Sequence, residues 1–152
     1  MQIGVISDTH GLLRPEALAA LTGSDLILHA GDVGRAEILD ELSRLARVIA
    51  VRGNVDRAAW AARLPETEIV TAGDLYLYLL HDRQGLDLDP AAGGFSAVIS
   101  GHSHKPVIAW HGDLLYLNPG SAGPRRFYLP VTVARLTVDG RALTAEIIDL
   151  AR

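Results

Sequence analysis

Cysteine is absent from the 152 residues of this chain. Its absence excludes disulfide bonds, thiol nucleophiles, zinc fingers and thiolate-held clusters, so any metal ion must be bound through nitrogen and oxygen. The chain also has no surplus of basic residues, since its formal net charge is −4. A protein that binds nucleic acid through the phosphates needs a basic stripe, and we therefore expect no binding of that kind.

Long uncharged apolar runs are absent as well. The longest runs, such as Leu75–Leu80, are far shorter than the ~20 residues that a membrane-spanning helix needs, so no membrane span is expected. The chain begins without a basic leader, which predicts a cytoplasmic location. Its 152 residues, of which 49% are apolar and 21% charged, predict one globular domain over residues 1–152.

The first part of the chain alternates short apolar runs with helical patterns. Strands are predicted over residues 2–7, 26–30 and 48–52. A helix is predicted from Pro15 to about residue 21, because proline suits the first helical turn, and an amphipathic helix over residues 35–46. Apolar strands that alternate with helices predict a parallel sheet covered on both faces.

After residue 65 the pattern changes to hairpins. Paired strands are predicted over residues 68–72 and 75–80, 107–111 and 114–118, and 131–138 and 142–150, each pair separated by a turn that contains glycine. We therefore expect two packed sheets. The Gly- and Asp-rich stretch from residue 82 to 95 allows at most one short helix, around residues 90–92.

Five of the apolar runs end in Asp, His or Asn, residue types that can bind metal ions. The carboxyl ends of strands in an open sheet share one rim where ligands bind, so these side chains can converge although they are far apart in sequence. Imidazole and carboxylate ligands without thiolates suit manganese, zinc, iron, nickel or cobalt. The candidate ligands are Asp8, His10, Asp32, Asn54, His81, His102 and His104.

Seven candidates are too many for one tetrahedral site, so we predict two divalent ions. Two ions ~3.5–4 Å apart, bridged by one carboxylate, would hold a hydroxide and clamp both the attacking and the leaving oxygen of a phosphoryl displacement. Asp32 is the candidate bridge. Two divalent ions, two aspartates and one hydroxide leave a charge of about +1, which attracts a phosphate ester to an acidic protein.

The order of these motifs resembles the calcineurin-like metallophosphoesterases, and in particular their small bacterial and archaeal phosphodiesterase branch. The stretches ISDTHG, LHAGDV, VRGNVD, SGHSHKP and NPGSAGPRRF carry the resemblance across nearly the whole chain. It implies a four-layer α-β-β-α sandwich of two mixed sheets and two divalent ions, manganese first among the metals named above. It also implies that one ion is bound by Asp8, His10, Asp32 and His104, and the other by Asp32, Asn54, His81 and His102.

The chain departs from the family pattern at two places. Val55 stands where larger relatives carry a histidine that is thought to help the leaving group, and valine donates no proton. General acid catalysis is typically worth ~10²–10⁴-fold, so its loss favours good leaving groups or protonation by water. Asp82 follows His81 where glycine is common, and the segment before the strand at Ala97 is shorter than the family's usual helix, so the cleft wall differs.

The predicted function is hydrolysis of a phosphodiester by a metal-bridging hydroxide, with Asp32 and Asn54 as catalytic residues and Asn54 also orienting the phosphate. The alternatives are a phosphomonoesterase and a non-catalytic metal-binding or protein-binding scaffold of the same fold. Arg125 and Arg126 are candidate phosphate contacts because guanidinium matches phosphate geometry, although a solvated role is equally open. The expected partner is a small phosphoester, and homo-oligomerisation is left open.

Structural roles are the alternative for single residues. Asp8 would then cap the first helix and Asp32 the second, with Asn54 in an ordinary turn. His29 lies inside an apolar strand and is expected in the core rather than among the ligands, and His111 is expected on a hairpin surface.

Overall fold

The elements of the chain follow its apolar periodicity. The computed structural model describes residues 1–150, so the last two residues of the predicted domain lie outside the described part. In chain order the elements are β1 (Gln2–Ile6), α1 (Pro15–Leu21), β2 (Leu26–His29), α2 (Ala36–Ser43), β3 (Arg47–Ala50), a 3-10 helix (Ala59–Arg63), β4 (Thr67–Ala72), β5 (Leu75–Leu80), a second 3-10 helix (Arg83–Gly85), β6 (Ala97–Ile99), β7 (Pro106–His111), β8 (Leu114–Pro119), β9 (Thr132–Asp139) and β10 (Ala142–Asp149).

The first sheet has the strand order β10-β9-β1-β2-β3. β1, β2 and β3 are parallel, as the alternation of strands and helices predicts, whereas β9 and β10 add an antiparallel pair beside β1. Ala17 and Leu21 of α1, like Ile38 and Leu42 of α2, are four residues apart. Each pair therefore points to one face of its helix, where it packs in the apolar layer that covers this sheet.

α2 ends three residues before the predicted end at residue 46. The backbone N–H groups of Leu45 and Ala46 both donate to the carbonyl of Leu42, so the last turn tightens before β3 begins. β3 itself ends at Ala50 rather than at residue 52, because the N–H of Arg52 turns away from the ladder to the carbonyl of Pro65, 2.8 Å away.

The second sheet has the order β4-β5-β6-β8-β7. The predicted hairpins β4–β5 and β7–β8 are present, and β5, β6 and β8 run parallel. Along β5, Leu75, Leu77 and Leu79 face the first sheet and share one core with Ile3 and Val5 of β1. The side chains between them in the sequence point outward, as the period of two in a strand requires.

Residues 82–95 cover the outer face of the second sheet. The structure has a turn where the sequence allows a short helix around residues 90–92, and the 3-10 helix lies earlier, at Arg83–Gly85. Phe95 packs edge-on against Tyr78, with 5.2 Å between ring centroids. α1 and α2 cover the outer face of the first sheet. The predicted sandwich of two mixed sheets is therefore confirmed, and the irregular segment of residues 82–95 forms its fourth layer.

None of the helices within residues 1–150 is long and apolar enough to cross a membrane.

Candidate metal centre

The predicted ligands lie where the two sheets bring the ends of their strands together. Asp8 and His10 follow β1, Asp32 follows β2, Asn54 follows β3, His81 follows β5, and His102 and His104 follow β6. The backbone joins these loops directly, since the N–H of Asp8 donates to the carbonyl of Gly31, and the N–H of Gly101 to the carbonyl of His81. The convergence expected for strand ends therefore extends across both sheets.

The first cluster consists of Asp8, His10 and His104. One ligand atom from each lies within 4.8 Å of the other two. Asp8 Oδ1 is 3.4 Å from His104 Nε2 and 3.7 Å from His10 Nε2, and the two imidazole nitrogens are 3.3 Å apart. Ligand atoms that share one ion at ~2.0–2.2 Å have separations of this size, so this cluster fits a metal ion.

The second cluster consists of Asp8, Asp32 and His81, under the same distance limit of 4.8 Å. His81 Nε2 is 3.2 Å from Asp32 Oδ2 and 4.0 Å from Asp8 Oδ1. Asp32 Oδ2 is also 3.6 Å from His10 Nε2 and so lies between the two clusters. Asp8 belongs to both, which the sequence did not indicate. The division of ligands between two ions, with Asp32 as the bridge, stays a prediction.

His102 and Asn54 stand at the rim rather than in either cluster. The His102 side chain is 42% exposed, with Nε2 3.7 Å from Asp82 Oδ2. Its ring meets that of His81 edge-on at 5.3 Å. Asn54 is exposed and shares with His81 and Asp82 the lining of a cavity of about 340 Å³. Both residues therefore border the centre from the side of His81.

The backbone is strained at five of the predicted ligands. A positive φ is uncommon outside glycine, and such conformations concentrate at active sites and ligand clamps. The structure places five predicted ligands in this region, with φ angles of 56° at Asp8, 47° at His10, 57° at Asp32, 72° at His102 and 63° at His104.

Asp8 presents one oxygen to the centre and uses the other for its own positioning. Asp8 Oδ2 accepts hydrogen bonds from the Ser7 hydroxyl, 2.7 Å away, and from the His102 N–H, 3.1 Å away. Asp8 Oδ1 and His81 Nε2 face the centre and are buried without a hydrogen-bond partner; His104 Nδ1, the nitrogen that does not belong to the first cluster, also lacks one. Buried polar atoms without partners are rare and often mark an ion that is not shown, so the donor set fits a divalent metal.

Both aspartates are carboxylates at neutral pH. Burial by itself raises the pKa of Asp8, but the close approach of His10, the hydrogen bond from Ser7 and the charges of His81 and His104 outweigh it and hold this pKa below its usual value. Burial also opposes ionisation of Asp32. The close contact with His81 and the hydrogen bond from the N–H of Val55 prevail and lower the pKa of Asp32 to about 2. Both side chains are therefore ready to bind a cation.

The orientation of His81 suits metal binding. His81 Nδ1 is 2.7 Å from the carbonyl oxygen of Ala30, to which it donates a hydrogen bond. This contact fixes the ring and leaves Nε2 as the lone-pair atom that faces Asp32, as in histidine ligands whose other nitrogen is held by a carbonyl. In the absence of metal, burial lowers the pKa of His81, but its contacts with Asp32 and Asp8 raise it overall.

His29 is a core residue, as expected. Its Nδ1 accepts a hydrogen bond from the Gly31 N–H at 3.1 Å, so the proton is on Nε2, which donates to the Thr9 hydroxyl at 3.0 Å. That hydroxyl donates to the carbonyl of Val33. Burial lowers the pKa of His29 to about 4, and the neutral ring holds the loops after β1 and β2 together.

Asp56 is a functional residue that the sequence reasoning missed. Its buried carboxylate accepts three backbone hydrogen bonds, from Val33 at 3.2 Å, Gly34 at 3.0 Å and Gly53 at 2.9 Å. It thereby ties the loop that carries Asp32 to the loop that carries Asn54. The only signal was an acidic residue two positions after the Gly-Asn pair.

The end of β8 and the loop that follows it hold the backbone of the centre in place. The Ser121 hydroxyl donates to the backbone carbonyl of Asp8 at 3.0 Å, and the Asn118 amide donates to the carbonyl of Gly101 at 2.9 Å and to the Ser103 hydroxyl at 3.1 Å. These roles were also missed, because they depend on contacts between distant segments.

The structural roles considered for single ligands are wrong for both aspartates. Arg14 is the N-cap of α1 and Arg35 is the N-cap of α2, so neither Asp8 nor Asp32 caps a helix. His111 lies on the exposed β7–β8 hairpin, as expected, where its ring contacts Tyr116 at 4.9 Å.

Two further cavities adjoin the centre. Arg125 and Arg126 line one of about 280 Å³ together with His10 and His104, so both predicted phosphate contacts lie beside the first cluster. His102 and Asp82 border the other, of about 410 Å³. Val55, which is 50% exposed, offers only its N–H, which donates to Asp32 Oδ1 at 3.0 Å.

Known proteins are similar to this chain in sequence and in fold. Residues 1–141 match the calcineurin-like phosphoesterase superfamily domain. A probable metallophosphoesterase of Methanothermobacter thermautotrophicus is 42% identical over 159 residues, covering 97% of this chain and 92% of the relative. A phosphodiesterase of Methanocaldococcus jannaschii is 30% identical over 139 residues, covering 79% of this chain and 83% of the relative.

Two solved structures extend the comparison. An archaeal phosphodiesterase is 25% identical with a TM-score of 0.79, and the match covers 97% of this chain and 100% of that one. Vps29 of Chaetomium thermophilum has a TM-score of 0.83 at 22% identity, covering 97% of this chain and 87% of that one. At that identity the likeness to Vps29 shows the fold alone.

Proposed function

Because the chain belongs to the calcineurin-like phosphoesterase superfamily, we propose that it is a two-metal phosphodiesterase that hydrolyses a small phosphodiester with water. The observation that carries the proposal is the position of Asp32. Its Oδ2 lies 3.6 Å from His10 Nε2 and 3.2 Å from His81 Nε2, between two clusters that each fit an ion. A carboxylate shared in this way is the arrangement that two-metal hydrolysis needs.

The ligand pattern of the family divides these residues between the two ions. Asp8, His10, Asp32 and His104 would hold one ion, and Asp32, Asn54, His81 and His102 the other. When bound, the two ions supply a water-derived nucleophile at neutral pH and offset the charge that develops on the phosphoryl oxygens. Manganese is the proposed metal, since nitrogen and oxygen ligands without thiolate suit it.

The protein's own groups position and stabilise the substrate. Arg126 and Arg125 line the cavity beside His10 and His104, where a guanidinium can bind two phosphate oxygens at once. Asn54 lies beside His81 and can donate its amide to a third phosphate oxygen. Val55 supplies no proton to the leaving oxygen, so this step uses water and favours esters of acidic alcohols or phenols.

The surroundings of the centre favour a diester over a monoester. Cavities of about 280 Å³ at His10 and His104 and about 410 Å³ at His102 offer space beside both clusters. A phosphodiester has two organic groups to place, whereas a monoester has one. The names of the M. jannaschii and archaeal phosphodiesterases support the same choice.

The test is purification without chelator, followed by assays with manganese on bis(p-nitrophenyl) phosphate and p-nitrophenyl phosphate. We expect turnover of the diester to exceed that of the monoester. Asp32→Asn should lose activity by about 10²–10³-fold, the range seen when an essential electrostatic group is removed. The matched control is Asp40→Asn on the exposed face of α2. This variant should keep the activity of the wild-type protein.

Two outcomes would contradict the proposal. Faster turnover of the monoester would identify a phosphomonoesterase. Stoichiometric metal without turnover of either ester would identify a metal-binding scaffold. This is the alternative function considered from the sequence, and Vps29 has a similar fold.

A further inference from the structure

Residues 124–130 form a loop at the edge of the candidate metal centre, which we call the arginine–aromatic loop. Its base is fixed to the backbone that carries Asp8. The N–H of Ala122 donates to the carbonyl of Ser7 at 3.0 Å, and Gly123 packs so closely that a Cβ there would collide with the carbonyls of Asp8 and Thr9. The loop therefore has a fixed position relative to the first cluster.

Two adjacent aromatic side chains of this loop are almost fully in water. Phe127 is 86% exposed and Tyr128 is 96% exposed, whereas every other exposed large hydrophobic side chain within residues 1–150 is at most 56% exposed. Single apolar side chains on a surface need no explanation. The exposure of two neighbouring aromatic rings does need an explanation, because burying either ring would be favourable.

The backbone of Phe127 is strained as well. Six residues other than glycine have a positive φ in the described part of the chain, and five of them are predicted metal ligands. The sixth is Phe127, with a φ of 53°. A bulky residue adopts this conformation rarely, and such strain persists where function requires a side chain to be presented in one direction.

The loop connects these rings along the chain to the cavity proposed for the phosphate. Arg125 and Arg126 share with His10 and His104 the lining of this cavity of about 280 Å³, and Phe127 and Tyr128 follow Arg126 directly in the sequence. A phosphate beside His10 would thus have guanidinium groups next to it, and the aromatic residues come next in the same loop. This order of charge and ring is the one that proteins use to bind a nucleotide, with a cation on the phosphate and an aromatic side chain on the base.

We infer that Phe127 and Tyr128 form a stacking platform for a planar aromatic group of the substrate, such as a nucleobase, whose phosphate lies beside His10 and Arg126. The inference rests on the proposed function for the role of the phosphate. It narrows the substrate class to phosphodiesters that carry an aromatic or heteroaromatic group.

The test compares two ligands that differ only in aromaticity. Phenylphosphonate and cyclohexylphosphonate have similar size and, at a pH where both are fully ionised, the same charge, and neither is hydrolysed at its carbon–phosphorus bond. Isothermal titration of the manganese-loaded protein should give a dissociation constant about tenfold lower for phenylphosphonate, since stacking of one ring is worth roughly that factor. The double variant Phe127→Leu and Tyr128→Leu keeps apolar bulk without rings and should bring the ratio of the two constants close to one.

Tyr76→Leu is the matched control, because Tyr76 is a half-exposed aromatic residue near the start of β5, at the end of the sheet away from His81. It should leave the ratio unchanged. An equal affinity of the wild-type protein for both phosphonates would overturn the inference, and so would a preference that survives the double variant. Dimerisation through Phe127 and Tyr128 would also overturn the inference. Light scattering would show it as a dimer of the wild-type protein that is lost in the double variant.

Turnover of bis(p-nitrophenyl) phosphate, measured on the same samples, separates this inference from the proposed function. A preference for the phenyl ligand that needs Phe127 and Tyr128, in a protein without turnover, would support the platform and contradict the enzyme. Turnover without any such preference would support the enzyme and contradict the platform.

Discussion

Asp56→Ala is predicted to loosen the metal centre without touching a ligand. The carboxylate of Asp56 accepts hydrogen bonds from the N–H groups of Val33, Gly34 and Gly53. Alanine would leave three donors without a partner, and a buried donor without a partner costs about 1–3 kcal/mol. Water can reach two of the three donors, which are only partly buried. We therefore expect a cost of about 1 kcal/mol for each donor.

The predicted loss in the free energy of unfolding is therefore about 3 kcal/mol for the metal-free protein. The loops that carry Asp32 and Asn54 would also lose their common support, so manganese affinity should fall by about 10–100-fold, as when groups that orient metal ligands are removed. Urea denaturation with chelator present measures the first quantity, and titration calorimetry with manganese measures the second.

Asp87→Ala is the control, since Asp87 is exposed on the segment after the second 3-10 helix. It should change neither quantity. If Asp56→Ala lowered the unfolding free energy by less than 1 kcal/mol and left manganese affinity within twofold of wild type, the three hydrogen bonds would not have the positioning role assigned to them.

Two further predictions concern His29 and Val55. Burial lowers the pKa of His29 from 6.5 to about 4, so the unfolded chain binds its proton first as the pH falls. The metal-free protein should lose about 3 kcal/mol of stability from this group between pH 6.5 and 4, and His29→Gln should flatten this part of the pH profile in urea denaturation; an unchanged slope would refute the assignment. Val55→His should add a proton donor and speed hydrolysis of alkyl diesters by about 10–100-fold relative to p-nitrophenyl diesters, and an equal effect on both substrates would show that position 55 does not serve the leaving group.

Much of the candidate site follows from local sequence. Each ligand motif comes directly after an apolar run, and the ends of parallel strands meet at one edge. The hairpins follow for a similar reason, because glycine in a short turn between alternating runs specifies a tight reversal. These features depend on neighbours in the chain, and both the hairpins and the convergence of the strand ends were predicted.

What could not be predicted depends on contacts between distant segments. Two of the three hydrogen bonds of Asp56 reach residues 22 and 23 positions earlier, and Asn118 reaches a loop seventeen residues before it. Asp8 takes a place in both clusters because His102 and Ser7 fix its second oxygen, a detail of packing rather than of spacing. The solvent exposure of Phe127 also has no sequence signal, since an aromatic residue in a loop is as often buried.

The proposed mechanism requires two ions that share Asp32. Manganese titration followed by electron paramagnetic resonance measures whether they do. We predict two manganese ions per chain with the broad signal of an exchange-coupled pair, and loss of that coupling in Asp32→Asn. One ion per chain with the six-line spectrum of isolated manganese, or a coupled pair that survives Asp32→Asn, would contradict it.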